Sequence, residues 1–265
     1  MDAKMEKVLK DAFEFVESLG YNVWAVNLYG SQNYKMDTPE SDHDFKALVF
    51  PSFEDVVNVA KPVSKTYSYG DGLVEVKDVR LMFNEYKKQN CQFLETLFTD
   101  FAAPEYREEW EKVRALAPLV ARADVGRHLN AMCGMAMEKV HALCHPYEGK
   151  VELLKERGYD SKQLSHAYRL GYMMDKYMAG ADYKSLLVPN EDELKVLMDL
   201  KLYRPQLSVE EAKAMGDAKV KEMHDKKVAY FAAHPDLAVN EETYAKLDAV
   251  KLEVLKRVFK AELLS

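Results

Sequence analysis

The spacing of apolar residues changes once along the chain, near Leu81, and this change limits the folds open to it. Before it, apolar and β-branched residues fall in short runs bounded by turn residues, the pattern of strands. After it they recur every three or four positions with almost no strand signal, the pattern of helices. The expected fold class is therefore α+β, a small mixed sheet followed by an all-helical region. Asn22–Tyr29 (NVWAVNLY) and Phe45–Phe50 read as strands, and Ser64–Tyr69 with Leu73–Val79 as a hairpin closed by Gly70-Asp71-Gly72. Val8, Leu9, Ala12, Phe13, Val16 and Leu19 form one stripe of a leading helix over 5–19, which Gly20 stops. Ser52 caps a short helix over 53–60.

In the second region, helices are expected over 81–98, 104–117, 119–144, 149–157, 160–179, 191–200, 208–234 and 240–262. The stretch Asp100–Pro104 (DFAAP) divides the chain into an α/β domain, 1–103, and a helical domain, 104–265. Ligand sites often lie between domains, so a cleft there is the expected place for chemistry.

Composition removes several classes. At 265 residues and 48% hydrophobic, the chain has material for a large core. Its apolar runs are far shorter than the ~20 residues that cross a bilayer, and residues 1–20 lack the charged-then-apolar order of a secretion signal, so a cytoplasmic protein off the membrane is expected. Cys91, Cys133 and Cys144 form no CxxC pair, which fits reduced thiols. His141, Cys144 and His145 share a helix end but lack a fourth zinc ligand. The 37 Lys+Arg against 44 Asp+Glu leave a net charge of −7, which argues against broad nucleic-acid binding but allows a local basic cleft.

The segment Tyr29–Lys46, YGSQNYKMDTPESDHDFK, carries the chemistry. A strand runs into Gly30-Ser31, a polar connection follows, and Asp42-x-Asp44 opens the next strand. Residues alternate across a strand, so the two aspartates share a face and together suit Mg²⁺, which takes one or two carboxylates, waters and substrate phosphates. Gly30, without a Cβ, lets phosphate oxygens reach backbone N–H groups, and Ser31 adds a hydroxyl donor. Lys46 follows Asp44 by two residues and is a further candidate for the same cleft.

This order, an apolar strand, Gly-Ser, a spacer and Asp-x-Asp between apolar residues, resembles the DNA polymerase β-like nucleotidyltransferases. The longer stretch GSQNYKMDTPESDHDFK, with VKDVRLMFNEYKKQNCQFLETLFT (76–99) and GYDSKQLSHAYRL (158–170), is similar to one branch, the predicted RNA-repair-pathway nucleotidyltransferases of bacteria and their phages. The resemblance implies a nucleotidyltransferase sheet domain ahead of the helices and transfer of NMP from an NTP to an acceptor hydroxyl. It points to an RNA end, such as a damaged tRNA, as one acceptor, while related folds modify proteins, antibiotics or second nucleotides and the net −7 favours a small acceptor. It makes Gly30 and Ser31 the triphosphate turn and Asp42 and Asp44 ligands of Mg²⁺ or Mn²⁺.

Such enzymes use a third carboxylate on a neighbouring strand, and two residues stand for it. Glu75 has the apolar-acid-apolar context, between Val74 and Val76; Asp78 lies in the block VKDVR. Alternation puts them on opposite faces of a regular strand, so only one can reach the metal. Lys162, His166 and Arg169, at i, i+4 and i+7, share a helix face, and the resemblance turns Lys162 and Arg169 toward phosphate or RNA with His166 positioning them at a nucleotide-binding surface. The alternative expectation is a noncatalytic nucleotide- or partner-binding module with the same fold, such as a phage protein acting on host defence.

Overall fold

The computed structural model describes residues 3–39, 41–145, 151–204 and 206–264. It is a mixed α+β structure built on one five-stranded sheet. Helix α1 (Ala3–Ser18) leads into β1 (Asn22–Tyr29), a 3₁₀ turn (Ser31–Tyr34) and β2 (Asp44–Phe50). Then come α2 (Phe53–Val57), β3 (Ser64–Tyr69), β4 (Gly72–Asp78), α3 (Val79–Lys87), α4 (Cys91–Leu94) and β5 (Ala102–Pro104). The strands order as β3-β4-β2-β1-β5, with only β2 and β4 parallel.

The remaining helices are α5 (Arg107–Val120), α6 (Val125–Ala142), α7 (Val151–Arg157), α8 (Ser161–Met178), α9 (Tyr183–Leu187), α10 (Glu191–Lys201), α11 (Val209–Ala233) and α12 (Glu241–Leu264). The chain forms two compact units, Met1–Asp124 with Val239–Ser265, and Val125–Ala238.

In the first unit α1 lies on one sheet face. Its Leu9, Ala12 and Val16 bury against Val26, Leu28, Phe45, Ala47, Val49, Val74 and Val76, every second residue of three strands. On the other face Trp24 stacks on Phe50 and Phe83 and meets Trp110 edge-on at 5.7 Å. A register shift in β1 between Val23 and Ala25 lets Trp24 reach that face.

The division at 103/104 is not where packing divides the chain. Ala102–Pro104 is an edge strand paired with β1, and α12 returns to α5 through Arg257–Glu109 at 2.7 Å and Lys112–Glu253 at 2.6 Å and to α3 through Lys87–Asp248. The helix expected over 81–98 is broken at Gln89, whose φ is +58°. The buried Gln89 amide donates to Val120 O at 2.8 Å and Tyr244 Oη at 3.1 Å, which holds the break.

In the second unit α8 packs against α6, α10 and α11, and α11 packs on α6. A Cβ on Gly216 would stand 2.9 Å from Val140 Cγ2, so a larger residue there would force the α11–α6 contact to shift. Among the described residues, no helix is long and apolar enough to cross a membrane.

Candidate functional site

The second sheet face becomes polar toward the end of β1. By register Asn27 stands beside Lys46 and Tyr29 beside Asp44 on β2, and Lys46 beside Glu75 on β4. Alternation therefore puts Asn27, Tyr29, Asp44, Lys46, Glu75 and Lys77 on one face.

Gly30 follows Tyr29 with φ +93° and ψ −148°, a conformation essentially confined to glycine. It opens the 3₁₀ turn holding Ser31, and the Gln32 side chain donates to Asp42 O at 2.9 Å. The Gly-Ser turn and the Asp-x-Asp segment thus meet at one strand end. Asp44 Oδ1 accepts the Leu73 N–H at 3.1 Å, fixing β2 beside β4. Gly72 makes that approach possible: a Cβ there would lie 2.2 Å from His43 O.

Glu75 and Asp78 separate as alternation requires. Glu75 lies on the face of Asp44, and its carboxylate takes Lys46 Nζ on Oε2 at 2.6 Å and Lys77 Nζ on Oε1 at 3.1 Å. Burial pushes its pKa up, but attraction to Lys46, then Lys77, and their hydrogen bonds outweigh this and hold it below the usual value. Asp78 is three residues further along β4, roughly 10 Å at ~3.3 Å per residue. There it caps α3 through the Arg80 N–H at 2.7 Å and pairs with the Arg80 guanidinium at 2.6 Å. It is a helix cap at the opposite end of the strand, apart from Asp42 and Asp44.

Lys46 differs from the expected open-cleft cation. Its side chain is 3% exposed, with the ammonium 3.9 Å from the Tyr29 ring centroid and 4.5 Å from that of Phe93. Tyr29 feels four carboxylates. Its phenol pKa is raised by burial first, then by Asp44, Glu75, Glu95 and Asp42.

Three residues here escaped the sequence reading. Glu95, 2% exposed, accepts the Gly30 N–H at 3.3 Å and the Tyr34 hydroxyl, and Thr99 donates to Asn33 Oδ1 at 2.7 Å. Together they clamp the turn, and the Gly30 N–H expected to meet phosphate already serves Glu95. Asn27 is fully buried, and both polar atoms of its amide lack hydrogen-bond partners among the described residues. A charged residue inside the apolar run FLETLF was the one available signal for Glu95.

The residues fit a divalent cation in part. Asp42 and Asp44 are the oxygen donors Mg²⁺ prefers, and the orphaned Asn27 amide marks a polar floor that lacks partners. Glu75 does not fit as a third ligand, because each of its oxygens holds an ammonium. Among the described residues, no three His, Cys, Asp or Glu side chains group to hold a metal ion.

Lys162, His166 and Arg169 lie on α8, in the second unit. Lys162 is exposed, His166 half-buried and Arg169 buried, with Nη1 3.1 Å from Met173 Sδ. Burial, then the charges of Arg169, Lys162, Lys139 and Lys201, hold the His166 pKa well below its ordinary value, so the ring is neutral at pH 7. Spacing did not show Lys139 and Lys201, which come from α6 and α10.

No protein-family model matches the chain, and no curated protein matches it. Among solved structures it is similar to a nucleotidyltransferase-like protein from Exiguobacterium sibiricum 255-15, with 10% sequence identity and a TM-score of 0.34, over 97% of this chain and 91% of that one.

Proposed function

We propose that this chain is a metal-dependent nucleotidyltransferase that moves NMP from an NTP to an acceptor hydroxyl, with an RNA end as the acceptor. One observation carries the reading: the antiparallel register of Tyr29 with Asp44 brings the Gly30-Ser31 turn and the Asp-x-Asp segment to the same strand end. In the transfer, the acceptor hydroxyl gives its proton to water as its oxygen bonds to the α-phosphorus, the α–β anhydride breaks, and pyrophosphate leaves with its electron pair.

Asp42 and Asp44 would hold one Mg²⁺ or Mn²⁺ ion, whose chemistry here is to offset phosphate charge. The Ser31 hydroxyl and the first N–H groups of the 3₁₀ turn, which have no partner within it, would bind phosphate oxygens. Glu95 and Thr99 keep that turn in place. Lys139, Lys162 and Lys201 give α8 and its neighbours in the second unit a local positive charge of the kind an RNA backbone meets, despite the net −7.

A second reading, a nucleotide-binding module without turnover, is favoured by the engagement of Glu75 with Lys46 and Lys77. Calorimetric titration with each NTP, run beside transfer of α-labelled NTP to pooled RNA and small-molecule acceptors, separates the two. Binding with transfer supports the enzyme; binding without transfer supports the module. Absence of both overturns both.

A further inference from the structure

The three-carboxylate arrangement requires Glu75 to give an oxygen to a cation. Here Oε2 holds Lys46 Nζ at 2.6 Å and Oε1 holds Lys77 Nζ at 3.1 Å. Both ammonium groups are anchored. Lys46 lies over the Tyr29 and Phe93 rings, and Lys77 Nζ lies 4.5 Å from the Phe93 centroid. One carboxylate with two ammonium groups sums to +1, so a divalent ion at Glu75 would be repelled by two like charges bound to the same oxygens. Lys46 is two residues along β2 from Asp44, on the same face, so this positive charge adjoins the Asp-x-Asp segment.

We propose that Glu75 is a positioning residue and not a metal ligand. It holds Lys77, the less buried of the two, and the buried Lys46 behind it so that their joint positive field, felt by NTP phosphates through Lys77, replaces the charge that a second divalent cation supplies in the three-carboxylate arrangement. The inference rests on the reading that Asp42 and Asp44 hold a divalent ion and that the site binds an NTP.

The test counts Mn²⁺ on the full chain, without nucleotide, from the electron paramagnetic resonance signal of free Mn²⁺. One ion is expected on the wild type and one on Glu75→Gln, with none on Asp42→Asn/Asp44→Asn. Two ions on the wild type, or loss of an ion in Glu75→Gln, overturns the inference and leaves the transfer reading standing. One ion on both, with no label transfer in the separate assay, sinks the transfer reading alone.

Lys77→Met tests the ammonium role. It is expected to weaken binding of inorganic tripolyphosphate about tenfold, the effect of ~1.4 kcal/mol, while the Mn²⁺ count stays at one. Unchanged tripolyphosphate affinity overturns the assigned charge role.

Discussion

Alternate residues of β2 and β4 go to opposite faces of one sheet and meet opposite environments. Phe45, Ala47, Val49, Val74 and Val76 pack on α1 in an apolar core, while Lys46, Glu75 and Lys77 join Tyr29, Asn27 and Asp44 in a charged cluster on the other side. The apolar face gains from area removed from water, which is non-directional. The polar face is held by paired charges and a clamped turn, where each group depends on particular partners. A chain that needed only stability would bury apolar residues on both faces. The polar face is therefore where function is sought.

Substitutions on the two faces are expected to differ in kind. Phe45→Ala, on the α1 face, is expected to cost about 3–5 kcal/mol in urea unfolding, with no pH dependence. Lys46→Met, its neighbour on the other face, is expected to cost about 1–3 kcal/mol, below the roughly 3–5 kcal/mol of a fully buried pair, because Glu75 keeps Lys77. A double-mutant cycle with Glu75→Gln sharpens the contrast: the double variant should lose less than the sum of the singles. Additive losses would break it.

Gly30→Ala meets open space at its Cβ but takes a glycine-only conformation, so about 1–2 kcal/mol of backbone strain is expected. Chemical denaturation checks this, and the same variant should weaken NTP binding. The smallest effect is the pH dependence of the Glu75 cluster. The folded carboxyl titrates below the unfolded value of about 4.3, so its contribution is full above that pH and is lost as pH falls through the folded value. Unfolding midpoints measured from pH 7 to below pH 4 should fall less steeply in Glu75→Gln than in the wild type.

Most of the fold was legible where local pattern and packing agree. Val23, Trp24 and Val26 mark β1, and the stripe from Leu9 to Val16 marks the face of α1 that is buried. What was illegible depends on distant partners. Ala102–Pro104 has little strand character of its own and is a strand because β1 offers an edge. Gln89 takes a left-handed backbone because its amide is fixed by Val120 and by Tyr244, far along the chain. Of the candidate site, the Gly-Ser turn, the Asp-x-Asp pair and the opposite faces of Glu75 and Asp78 followed from the sequence. The clamp from Glu95 to Gly30 did not, because it joins residues 65 apart and an acidic residue in a helix ordinarily faces solvent.

The central claim is that the polar face performs nucleotidyl transfer, and transfer of α-labelled NTP to pooled acceptors in Mg²⁺ tests it most directly. Label should reach an acceptor with the wild type and fall to background with Asp42→Asn/Asp44→Asn, provided the variant keeps the wild-type urea midpoint. Transfer that survives the double substitution contradicts the account.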